Sequence, residues 1–119
     1  MEFQLKALEI CEKVLDKNHP SLAISYNNLS LIYSDLGDLK KALEFQLIAL
    51  EIREKVLNKN HPSLATSYFS LASIFYENKD KIQAQDYIKR AIKIYEYNFP
   101  NGHFNLDKAK SWREKIEKM

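Results

Sequence analysis

Three histidines, His19, His61 and His103, recur at intervals of 42 residues in this chain of 119. Imidazole ligates metals and changes charge near neutral pH, so an evenly spaced set invites a metal or proton-transfer reading. The spacing argues against a shared metal. Equivalent positions in stacked units lie on the order of 10 Å apart or more, whereas a metal takes its ligands at about 2 Å. The expected role is therefore a loop residue at a helix start, with no metal and no cofactor. Cys11 is the single cysteine. It aligns with Arg53 in the next unit, on what reads as the polar side of its helix, and no base is near enough in sequence to activate a thiol. The carboxylates face lysines one turn away, as in Glu9–Lys13 and Glu51–Lys55, the arrangement of solvated helix surfaces. Neither a Ser-His-Asp set nor a buried carboxylate pair can be picked out, so the chain is not expected to be an enzyme.

Composition narrows the elements that could carry these side chains. With 18 Lys+Arg against 16 Asp+Glu, the net charge is +2, too weak by itself to argue for nucleic acid. Two glycines, Gly37 and Gly102, cannot build a Gly-rich phosphate loop, and they supply too little turn chemistry for an all-β fold. The longest apolar run is Leu47 to Leu50, so neither a membrane span nor a signal peptide is expected. A cytoplasmic, all-α protein is the expectation.

The chain repeats itself. Residues 2–43 and 44–85 are identical at 25 of 42 positions without a gap, and a third copy starts at Asp86 and then decays. Apolar residues recur at steps of three and four, as in Ala42, Phe45, Ala49, Ile52 and Val56, or Ala23, Tyr26, Leu29, Tyr33 and Leu36. Gly37-Asp38 supplies a C′ glycine followed by an N-cap aspartate, a tight turn between antiparallel helices. Pro20 and Pro62 suit first helical positions and hold the preceding histidines extended. Six helices are expected, over about 2–16, 20–36, 38–57, 62–78, 80–98 and 104–118. Each pair must stack on a neighbour to bury its apolar face. The whole chain reads as one helical-repeat domain. Its parts are an unpaired second helix of a truncated repeat at 2–16, repeats at 20–57 and 62–98, and a cap at 104–118.

The spacing of Tyr26, Leu29, Ser30, Tyr33, Gly37, Ala42 and Ala49 resembles the tetratricopeptide repeat. Tyr68, Leu71, Ala72, Phe75, Ala84 and Ala91 repeat the set. The phrases ALEIREKVLNKNHPSLATSY and SYNNLSLIY resemble the 42-residue subclass typified by kinesin light chains and nephrocystin-like proteins. The usual period is about 34, so each helix gains roughly one turn. The resemblance implies a right-handed solenoid of antiparallel helix pairs whose first helices line a concave groove. Transferred by position, the groove residues are Ile24, Asn27, Asn28, Leu31 and Asp35, then Thr66, Phe69, Ser70, Ser73 and Glu77. Asn28 matches the asparagine that holds a ligand's backbone or carboxylate in peptide-binding members.

Departures from the family pattern are plain. Gln46 stands where an aromatic is usual, Lys79 replaces the turn glycine, and Thr66 and Ser70 occupy positions that a carboxylate grip would need to be basic. The chain also starts in mid-repeat, as a fragment of a longer array would. The last helix admits two registers. Charge desolvation favours the one that buries Ala109, Trp112, Ile116 and Met119 and turns Lys110, Arg113 and Lys118 toward the groove. The other offers Lys108 and Lys115 instead.

These features predict a protein-interaction module that binds a partner peptide in the groove, with Asn28 and Phe69 as anchors. Residues 86–119 hold 8 basic and 5 acidic side chains, the whole positive excess, so an acidic-aromatic peptide would suit the C-terminal end. No nucleic-acid or membrane partner is expected. The alternative is a structural spacer or oligomerisation segment with no peptide of its own. Exposed apolar residues of helix 2–16 would favour self-association.

Overall fold

The computed structural model describes Leu5 and residues 19–119, all helix and turn. The described helices are α1 (Pro20–Asp35), α2 (Leu39–Val56), α3 (Pro62–Glu77), α4 (Lys81–Asn98) and α5 (Phe104–Glu117). Their bounds fall within one residue of those read from the periodicity. The expected helix at 2–16 lies outside the described residues apart from Leu5, which is helical. Cys11 and the proposed self-association surface lie outside them too. No described helix is long and apolar enough to cross a membrane.

The chain forms two compact units, Met1–Leu57 and Asn58–Met119. In the first, α1 packs along α2; in the second, α3 packs along α4, and α5 adds to α4. Small residues let the helices approach: Ala23, Ala42 and Ala49 in one unit, and Ala65, Ala72, Ala84, Ala91 and Ala109 in the other, are fully buried. Around Leu22, Leu29 and Ile52 the first unit packs Tyr26, Tyr33 and Phe45, with Phe45 stacked 5.9 Å from Tyr26 and 5.5 Å from Tyr33. The second unit repeats this stack with Tyr87 at 6.0 Å from Tyr68 and 5.7 Å from Phe75. Leu36 and Val56, placed on apolar faces by the periodicity, are 63% and 41% exposed. Both sit at or just past a helix end, where the partner helix no longer covers them.

Local chemistry explains each boundary. His19, His61 and His103 are N-caps, and each ring does more than occupy a loop. Its Nδ1 accepts the backbone N–H two residues on, from Ser21 at 3.1 Å, Ser63 at 3.0 Å and Asn105 at 3.1 Å. This satisfies one of the free donors of the first turn, a task usually given to Ser, Thr, Asp or Asn. Asp38 and Asp80 cap α2 and α4 in the ordinary way, accepting from Lys41 N and Gln83 N, each at 3.2 Å.

The two inter-helix turns share one geometry. Asp38 N donates to Tyr33 O at 2.9 Å and Gly37 N to Ser34 O at 3.0 Å, a Schellman pair. Asp80 and Lys79 repeat both bonds, to Phe75 O at 2.9 Å and Tyr76 O at 3.0 Å. Gly37 has φ 83° and Lys79 has φ 60°, so lysine occupies the left-handed region that favours glycine. A Cβ built on Gly37 meets nothing within 4 Å, which makes the penalty one of backbone conformation alone. Lys79→Gly is therefore expected to stabilise by up to about 1 kcal/mol, offset in part by the greater chain entropy of glycine. A melting curve gives the result directly: unchanged or a few degrees higher agrees, and a clear drop shows that Lys79 makes compensating interactions.

Candidate functional site

In the first unit α1 presents Ile24, Asn28, Leu31 and Asp35 at steps of four, three and four, one stripe of the helix. All four are exposed, Ile24 at 55% and Leu31 at 48%. Asn27 lies beside this stripe and is half-buried. Its Oδ1 accepts from Nε2 of Gln46 on α2 at 3.0 Å. Gln46, marked in the sequence only as a departure from an aromatic, is fully buried, and its Oε1 has no hydrogen-bond partner among the described residues.

In the second unit the groove candidates of α3 meet α5. Phe69 is half-buried and receives the edge of Trp112 at 5.7 Å with rings inclined 75°. Tyr76, two turns further along α3, takes the same indole at 5.4 Å and 84°. Two ammonium groups lie over these rings: Lys108 is 5.5 Å from Phe69, while Lys115 is 4.8 Å from Tyr76 and 4.5 Å from Trp112. Both are exposed, so each contact contributes about 0.5–1 kcal/mol. Thr66 is exposed; Ser70 and Ser73 are half-buried.

Beside Phe69 a cleft of about 170 Å³ opens between the three helices, lined by Thr66, Phe69, Ser70, Tyr95, Asn105 and Lys108. Tyr95 is 5% exposed, and burial pushes its phenol pKa up, with a side-chain hydrogen bond between it and Thr66 opposing. The Tyr95 side chain thus joins those of Thr66 and Ser70 in the lining, with Lys108 as its one cation. Such a lining suits a small acidic or hydrogen-bonding group.

The register of α5 differs in part from the one favoured on the sequence. Ala109 and Ile116 are fully buried, and Leu106 joins them at 5% exposure. Trp112 is only half-buried, and Met119, which lies beyond the end of α5, is 40% exposed. Trp112 turns toward α3 because Phe69 and Tyr76 offer it two ring faces. Lys110 and Arg113 are half-buried and do not line the cleft, whereas Lys108 does. The signal for the stripe that meets α3 was in the sequence as Lys108, Trp112 and Lys115 at steps of four and three. Its orientation depended on rings in another helix. The polar-side reading of Arg53, with which Cys11 aligns, is also corrected, while Cys11 itself lies outside the described residues. Arg53 is 8% and Tyr95 5% exposed, so both are interior, and burial pushes the pKa of the Arg53 guanidinium down from its usual value.

The sequence model of the tetratricopeptide repeat matches residues 2–47 and 31–96. The chain belongs to the tetratricopeptide repeat family. Tetratricopeptide arrays are scaffolds for protein–protein interaction. Among solved structures, BtubC (BKLC) from P. vanneervenii is similar with a TM-score of 0.88 and 24% identity, over 98% of this chain and 47% of that one. Two crystal structures of a Podosopora anserina putative kinesin light chain with nearly identical TPR-like repeats are similar at 22% identity. One, a point-substituted form, has a TM-score of 0.80 over 98% of this chain and 55% of that one. The other has a TM-score of 0.77 over 98% and 56%. The chain thus spans about half the length of these tetratricopeptide proteins, and the likeness to kinesin light chain repeats is one of fold. No curated protein matches the chain.

Proposed function

We propose that this tetratricopeptide chain binds a partner peptide, and that an acidic side chain of the peptide enters the cleft at Phe69. The observation that carries this reading is the cleft itself: Thr66, Ser70 and Tyr95 line a space of about 170 Å³ together with Lys108. An ionised carboxylate can accept from the Lys108 ammonium together with a hydroxyl whose proton is not already engaged, as that of Thr66 is by Pro62 O at 3.4 Å. An aromatic or apolar neighbour in the peptide would lie against the Phe69–Trp112 pair, so the favoured ligand is acidic-aromatic. Asn28, Ile24 and Leu31 form a second candidate surface on α1. Lys110, Arg113, Ser73 and Asp35 are assigned supporting places, outside the cleft.

The experiment is panning of a random dodecapeptide library on the intact chain, followed by charge reversal at two salt concentrations. Peptides with Asp or Glu beside an aromatic are expected to enrich. Lys108→Glu should weaken them by roughly three- to tenfold at low salt, with a smaller effect at high salt, because an exposed charge pair is modest and screened. The double reversal Lys110→Glu/Arg113→Glu should cost less. Binders that survive both reversals with unchanged affinity and salt dependence would remove the basic end of the second unit from the site.

A further inference from the structure

Gln46 and Asn27 form a cross-helix amide pair in the first unit, with Nε2 of Gln46 donating to Oδ1 of Asn27 at 3.0 Å. The positions 42 residues on are Phe69 and Ile88, and Ile88 is fully buried like Gln46. The same pair of helices therefore accepts an apolar pair at this place, and packing does not require amides. The amide pair is in fact the worse packing solution, since Gln46 Oε1 is buried with no partner among the described residues and its desolvation goes uncompensated there. What the buried amide does accomplish is to fix its neighbour. An asparagine whose oxygen accepts from a buried amide is held in one orientation and still has both Nδ2 hydrogens to offer, which find no partner among the described residues. Asn27 is half-buried at the side of the exposed stripe, between Ile24 three residues before it and Leu31 four residues after it. Apolar side chains on either side of a fixed donor suit an extended peptide, whose side chains alternate with main-chain carbonyls.

We infer that Gln46 is a positioning residue, holding the Asn27 amide so that Nδ2 donates to a main-chain carbonyl of a bound extended peptide. This rests on the reading of the chain as a peptide binder and assigns the polar anchor of the first unit to Asn27, beside Asn28. The partner chemistry follows: a strand-like segment with an apolar residue on each side of the bonded carbonyl.

A purely structural Gln46 and a positioning Gln46 predict opposite combinations of results. Gln46→Ile installs the residue found at the equivalent position 88. It should keep or raise the urea midpoint, while weakening the peptide most enriched on the wild-type chain by roughly three- to tenfold, the range of one hydrogen bond. Asn27→Ala should cost the same, and the two substitutions together no more than either alone. In nitrogen–proton spectra the two side-chain amide protons of Asn27 should shift on adding that peptide to wild type and not to Gln46→Ile. Gln46→Met provides a second apolar variant in case the branched side chain disturbs folding. A variant that binds the enriched peptide as tightly as wild type overturns the inference alone. So does one in which stability and binding fall together for both apolar replacements. A library that enriches no peptide overturns the proposed function instead, and the assigned ligand with it.

Discussion

Leu71→Ala and Leu29→Ala are each expected to destabilise the protein by about 3 kcal/mol, within the roughly 2–5 kcal/mol span of buried leucine truncations. Both leucines are fully buried at equivalent positions of α3 and α1. Truncation removes the transfer energy of the deleted atoms and leaves a void that alanine-lined helix contacts close only in part. The neighbours are short and the rings of Tyr26, Phe45 and Tyr33, or of Tyr68, Tyr87 and Phe75, are already fixed by stacking. Urea unfolding of each variant gives the loss. Because the units form separate compact bodies, the two losses should be similar, and a loss under about 1 kcal/mol at either site would show that its core relaxes freely.

Trp112→Ala is expected to cost on the order of 2–3 kcal/mol, below the value for a fully buried indole because Trp112 is half-buried. The indole is the point at which α5 grips α3, through Phe69 and Tyr76. Without it α5 holds chiefly through Leu106, Ala109 and Ile116 and should unfold ahead of the rest. The signature is a smaller dependence of unfolding free energy on urea, since less surface is exposed in the main transition. Trp112→Phe should restore part of the loss. Trp112→Ala should also abolish binding at the Phe69 cleft, because Lys108 and Asn105 on α5 form one wall of it. A Trp112→Ala protein with wild-type stability would mean that the indole merely rests on the surface of α3.

The helices, their ends and their turns were legible in the sequence because the forces that set them are local. Proline at the first helical position, aspartate three residues before the N–H it accepts from, and glycine in a left-handed turn all act within one helical turn. A period of 42 residues with 25 identities then carries the helix and turn pattern of residues 19–43 over to residues 61–85. Five helices follow from these rules to within a residue, and the family with them. The exposed stripe Ile24, Asn28, Leu31 and Asp35 was legible too, since a stripe is a property of one helix.

Tertiary structure decided what depends on which side chain meets which. The side of α5 turned to α3 could not be read from α5, because Trp112 is drawn to rings contributed by Phe69 and Tyr76 rather than into the deepest core. Lys108, not Lys110 or Arg113, lines the cleft for the same reason. Gln46 stood out in the sequence only as a departure from an aromatic, and only the partner helix shows its amide donating to Asn27. The periodicity of a helix reports which residues share a face. It carries no information on the identity of the atoms across the interface, and those atoms set rotamers, hydrogen-bond partners and the chemistry of the cleft.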